Sequence, residues 1–124
     1  MEAEPFGPRN PLDAMVIAPM TGNSISKFAN AATDSPVLMA AKATLRNGSP
    51  VILGISTNDA LGLNGINIMK LLNAKNVYFI PFGQDDPIAK STSLISDFSQ
   101  MKDTVVSAVI YKKQLQPIII QYSK

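Results

Sequence analysis

Hydrophobic residues recur along this chain with two periods. Residues 13–18 (DAMVIA) are apolar at successive positions, the pattern of a parallel strand buried on both faces rather than of an exposed antiparallel one. Pro19 is expected to end that strand. From Asn23 the spacing turns helical: Ile25, Phe28, Ala29 and Ala32 share one face, and Thr21 or Asn23 is placed to cap the start. Ser35-Pro36 opens a second helix, with Leu38, Ala41 and Leu45 on its inner face and Asn47-Gly48 as its stop. Residues 50–55 read as the next buried strand. Residues 64–73 read as a third helix with Ile68, Met69 and Leu72 inward, and residues 76–81 (NVYFIP) as a third strand. Leu94, Phe98, Met101, Val105 and Val109 keep a helical period that predicts one long last helix. Residues 117–120 form a short apolar tail suited to a further strand.

The order β-α-α-β-α-β predicts a single α/β domain over residues 1–124, built on an open parallel sheet of Rossmann-like type with right-handed crossovers. Residues 4–11, rich in proline, read as an extended lead-in. Ligands of such sheets sit beyond the carboxyl ends of the strands. Three polar, glycine-bearing loops lie there: residues 19–24, 56–64 and 83–86.

Composition narrows the chemistry. With 46% hydrophobic and 16% charged residues, the chain has the balance of a globular domain rather than a disordered one. Its net charge of +2 comes from basic residues scattered along the chain, so nucleic acid is not an expected partner. No apolar stretch is long enough to span a bilayer, and a cytoplasmic location is the default expectation. Cysteine and histidine are both absent, which removes thiol nucleophiles, imidazole acid/base catalysis and zinc-finger sites from this chain. Carboxylate, lysine, hydroxyl, amide and backbone remain. That inventory suits ligand binding better than self-sufficient catalysis, and it gives no catalytic residue and no metal site.

Thr21, Gly22, Asn23 and Ser24, followed by Lys27, combine hydroxyls and a carboxamide with the free amides of a helix start, a setting for an anion or for the polar edge of a planar ring. Ordinary helix capping explains the same residues equally well. The loop GISTNDALGLNG, residues 54–65, is longer than a strand-to-helix connection needs, as functional loops often are; a capped loop with Asp59 in solvent is the competing account. Gln84, Asp85 and Asp86 suit a cation or a turn cap, and solvated acids are the simpler reading.

The run APMTGNSISKFANAATD, residues 18–34, resembles the A-P-x-S-A-N-T-x-x-K-x-A-x-G-x-x-D signature of the flavin-containing, cysteine-decarboxylase-like flavoproteins. The strings ISTNDALGLNG and PFGQDDP extend the resemblance over nearly the whole chain. It implies that Thr21, Gly22, Asn23 and Ser24 occupy a turn that contacts FMN. Thr57 and Asn58 would then hold a small-molecule substrate, Asn58 standing where the decarboxylases place the Asn of a P-A-M-N clamp. The clamp is reduced here to Ser56-Thr57-Asn58. Within the family the strings point to one component of a two-part oxidoreductase whose other component carries a nicotinamide cofactor. The alternatives are a decarboxylase-type FMN protein and a non-catalytic assembly component. The relatives begin with βα units that have no counterpart in these residues, so the chain corresponds to the C-terminal part of the domain. The first strand should then present an unpaired apolar edge, which favours a homo-oligomer.

Overall fold

β2 (Val51–Thr57) is the centre of the fold, buried at every position except Ser56. The computed structural model describes residues 14–32 and 34–121; Asp13 and the proline-rich lead-in lie outside them. Strand side chains alternate between faces, and β2 feeds two cores accordingly. Val51, Leu53 and Ile55 join the larger one, together with Met15, Met20, Ile25, Phe28, Leu38 and Phe79. Ile52 joins Ile80 and Ala108 in the smaller one, against which Val16, Tyr78, Phe98, Met101 and Val105 pack. At Gly54 the strand must stay bare, because a Cβ there would lie 2.6 Å from Phe98 Cε1 and 2.9 Å from Ala18 Cβ.

β1 (Met15–Met20) runs parallel to β2, with Met15 beside Val51 and Ile17 beside Leu53. α1 (Gly22–Ala29) and α2 (Pro36–Arg46) connect the two strands. α3 (Gly65–Leu72) then leads to β3 (Val77–Phe79), also parallel to β2. α2 starts as its sequence requires, with Ser35 Oγ accepting from the Leu38 N–H at 3.2 Å and Pro36 at the first position.

Four expectations need correction. Pro19 does not end β1; the strand continues to Met20, and the register slips between Ile17 and Met20, which accommodates a residue without an N–H. α1 stops at Ala29 rather than reaching Ala32, because Ala31 takes a left-handed conformation at φ 63°. On α3 Ile68 is buried and Leu72 packs partly buried against the larger core as expected, but Leu71 takes the inward place expected of Met69, which is 58% exposed. The long last helix is broken. Leu94 belongs to β5 (Leu94–Ser96), followed by a 3-10 turn (Phe98–Gln100), α4 (Met101–Val106) and a π turn (Ser107–Tyr111).

β5 makes the sheet mixed rather than wholly parallel. It pairs antiparallel with the end of β2, Ser56 beside Ile95, and with β4 (Phe82–Gly83). The apolar tail adds a parallel bridge between Ile119 and Phe82. Asp97 stops β5 by capping the turn that follows. Hydrogen bonds from the Ser99 hydroxyl, first, and from Gln100 hold its carboxyl below the ordinary carboxylate range.

Ser96 occupies the fork where β3 and β5 both approach β2. Its hydroxyl accepts from the Ile55 N–H at 2.9 Å and donates to the Ile80 carbonyl at 3.0 Å, with Ser96 only 2% exposed. Replacing it by alanine leaves two buried backbone groups without that partner. Ser96→Ala should therefore lower stability by about 2–4 kcal/mol. A denaturant titration reading a loss below about 1 kcal/mol would show that water or a shifted strand satisfies both groups.

Candidate functional site

The carboxyl ends of β1 and β2 open into a polar pocket of about 570 Å³, within the usual size range of small-molecule sites. Two loops make it. From the β1–α1 turn come Thr21, Gly22 and Asn23, with Ser26 one helical turn further on. From the β2–α3 loop come Ser56, Thr57, Asn58 and Asp59, and Leu63 supplies an apolar rim. Thr21 stands at the N-cap position of α1, but its side chain makes no capping hydrogen bond, and no acidic residue occupies the first turn. The capping account of this turn is thereby removed. The first-turn amides of α1 remain as donors at the pocket.

The two loops are locked by one polar cluster. Asn64 is 6% exposed, and its Nδ2 donates to the Gly22 carbonyl at 2.8 Å and more weakly to Asp59 Oδ1 at 3.4 Å. The Thr57 hydroxyl donates to the same Asp59 oxygen at 2.8 Å. Gly22 packs so closely against this cluster that a Cβ would lie 2.7 Å from Thr57 Oγ1 and 2.9 Å from Asn64 Nδ2. Glycine is thus required here by the protein's own packing. Behind the pocket, Thr92 fastens the β2–α3 loop: its hydroxyl donates to the Asn58 carbonyl at 2.6 Å, and its carbonyl accepts from the Leu61 N–H at 3.0 Å.

Thr21, Gly22, Asn23, Thr57 and Asn58 therefore line one pocket, whereas Ser24 lies outside the lining. Residues 83–86 are elsewhere: Gly83 and Gln84 border a separate apolar groove, and Asp86 caps a turn by accepting from the Ala89 N–H. Ser26 and Asn67 are lining residues outside the three loops that sequence reasoning singles out, whereas Leu63 and Asn64 fall within residues 56–64. Ser26 is legible in principle, since it falls three residues after Asn23 on one helical face. Asn64 reads as the end of that loop and a helix start, and nothing in the sequence places its amide beneath Gly22. Among the described residues no group of His, Cys, Asp or Glu side chains could hold a metal ion.

The sequence pattern of the flavoprotein family matches residues 2–112. The chain belongs to the flavoprotein family. The B subunit of dipicolinate synthase from Bacillus subtilis is 61% identical to this flavoprotein chain over 121 residues, 98% of the chain and 60% of that protein. The crystal structure of the dipicolinate synthase B subunit from Bacillus halodurans superposes with a TM-score of 0.89 at 66% identity, covering 96% of this chain and 60% of the other. The chain thus spans about 60% of the length of both relatives.

The donor set fits the polar edge of a flavin. Hydroxyls and amides converge from two loops, one carboxylate can accept from ring or sugar donors, and Leu63 offers an apolar contact. Asn23→Ala should weaken FMN binding about three- to tenfold, the worth of one hydrogen bond. The melting temperature should stay within a few degrees, since Asn23 is exposed and caps nothing. Flavin fluorescence titration checks this, and unchanged affinity would place the ligand elsewhere.

Proposed function

We propose that this chain is the flavoprotein-type component of a dipicolinate synthase, supporting the oxidation of dihydrodipicolinate to dipicolinate in a sporulating bacterium. The observation that carries this is the 61% identity to the dipicolinate synthase B subunit over 98% of this chain, a span that includes both pocket loops. The partner is the A subunit of dipicolinate synthase, to which the nicotinamide cofactor belongs. The substrate loses a hydride and a proton, and the hydride is taken up by that nicotinamide.

In this reading the chain's own residues bind and orient. Thr21, Gly22, Asn23 and Ser26 hold FMN through the α1 turn, with Ser24 supporting the turn from outside the lining. Thr57 and Asn58 meet the small-molecule substrate. Bound FMN would supply a two-electron carrier between the substrate and the partner's nicotinamide. A second reading, an FMN protein of the decarboxylase type, is favoured by one observation: Asn58 lies in the same pocket as the flavin-type turn. We place the protein in the cytoplasm of the mother cell; no helix among the described residues is long and apolar enough to cross a membrane.

Reconstitution separates the readings. The nicotinamide-bearing partner should oxidise dihydrodipicolinate at least tenfold faster with this protein than without it. No rate difference, together with flavin absorbance in the purified protein, would favour the decarboxylase type. No difference and no flavin would leave an assembly role.

Association of this chain with itself is also part of the proposal. Among the described residues β1 has a single sheet neighbour, β2, and such an edge is a template for pairing with another chain. Leu61, Leu63, Ile66 and Met69 lie exposed on and before α3. Light scattering should read a multiple of the chain mass. A monodisperse monomer would mean that the β1 edge is covered from within.

A further inference from the structure

Behind the pocket, a single file of side-chain amides runs from the surface to the Gly22 carbonyl. Lys70 Nζ donates to Asn30 Oδ1 at 2.8 Å. Asn30 Nδ2 donates to Asn67 Oδ1 at 3.2 Å and to the Ser26 carbonyl at 2.8 Å. Asn67 Nδ2 donates to Asn64 Oδ1 at 2.7 Å, and Asn64 Nδ2 donates to the Gly22 carbonyl. The file crosses from α1, where Asn30 is the C-cap, to α3, where Asn67 and Lys70 lie one turn apart.

Its direction is fixed from both ends. An ammonium only donates, and a backbone carbonyl only accepts. Starting from Lys70, each amide must turn its oxygen toward the lysine and its nitrogen toward the pocket. Starting from the Gly22 carbonyl, the same three orientations follow. The Ser26 carbonyl, a second pure acceptor, fixes Asn30 the same way again. Three amides that could each flip are thus held in one arrangement, with a cation at the outer end.

We infer that Asn30 and Lys70, which lie outside the pocket lining, are positioning residues for it, acting through Asn67 and Asn64 to hold the β1–α1 turn in its binding geometry. The inference rests on the reading of that turn as the flavin site. Asn64 ties the Gly22 carbonyl, at the start of α1, to the β2–α3 loop, and its nitrogen faces that carbonyl and Asp59 Oδ1 while its oxygen accepts from Asn67. Asn67 donates there because its own oxygen is claimed by Asn30. If Asn30 became an acceptor, Asn67 would be free to flip. The Asn67 oxygen would then face the Asn64 oxygen, and Asn64 would have to draw away from Asn67 or turn its nitrogen from the Gly22 carbonyl and Asp59.

The test is Asn30→Asp, which preserves shape and the Lys70 contact but removes the donor, in full-length protein labelled with 15N-asparagine. The Asn64 side-chain amide resonance, assigned by its loss in Asn64→Asp, should move. That of Asn47, which donates to the Ala43 carbonyl far along the chain, should not. FMN affinity should fall about three- to tenfold with the melting temperature nearly unchanged, and Lys70→Arg, which keeps the cation, should retain wild-type affinity. An unmoved Asn64 resonance overturns the inference. So does a moved resonance with FMN affinity within twofold of wild type. Should the unsubstituted protein bind no FMN at all, the flavin reading fails, and the resonance alone decides whether the file is coupled.

Discussion

Everything in this fold depends on β2 being hydrogen-bonded to three strands at once. Its first half has β1 on one side and β3 on the other, both parallel, with Val51 beside Met15 and Val77. Its last residues pair antiparallel with β5. Both faces of this interior strand are covered, one by each core, so its side chains from Val51 to Ile55 are apolar, and only Ser56 is partly exposed. The change of partner requires a device where β3 leaves, and Ser96 is that device: one hydroxyl satisfies the Ile55 N–H and the Ile80 carbonyl together. β5 could not approach without it, since both groups would be buried unpaired.

The site follows from the same constraint. Because β1 and β2 are parallel neighbours, their carboxyl ends emerge side by side, and the loops leaving them meet without any element in between. What remains is to hold two irregular loops in fixed relation, and the structure does so with neutral donors gathered on one carboxylate. Asn64 and Thr57 both donate to Asp59 Oδ1, and Asn64 donates to the Gly22 carbonyl as well. Amides suit this task because each both donates and accepts, so a row of them carries direction without requiring a charge at each step.

Much of the architecture is legible in the sequence where local rules and tertiary packing agree. Ser35-Pro36 and Asn47-Gly48 bracket α2 by capping chemistry alone, and the wholly apolar run at residues 51–55 could only be an interior strand. The failures lie where tertiary pairing overrides period. Leu94 matches a helical spacing with Phe98 and Met101, yet Leu94 to Ser96 pair with β2 as a strand, because the end of β2 has no other partner on that side. Met69 and Leu71 are equally plausible inward residues by hydropathy, and only the angle at which α3 meets the sheet selects Leu71. At the site the turn residues and Asn58 stand out by position. The buried face of Asn64 does not, since a helix-start asparagine and a loop-locking one look alike until both loops are placed.

The residue types at the pocket bear on how labour is divided in the assembly. Hydroxyls, carboxamides, backbone amides and one exposed carboxylate can orient a planar, polar molecule and discriminate its donors from its acceptors. They cannot accept or store a pair of electrons, and the chain contains no histidine or cysteine to relay a proton or form a covalent adduct. An oxidation at this pocket therefore needs an electron acceptor brought to it, bound by these loops or presented by a partner protein. The open shape of the pocket, walled by two loops and rimmed by the exposed Leu63, leaves room for either. Redox chemistry here is thus a property of what the loops hold or meet, and the fold's contribution is to fix where that encounter takes place.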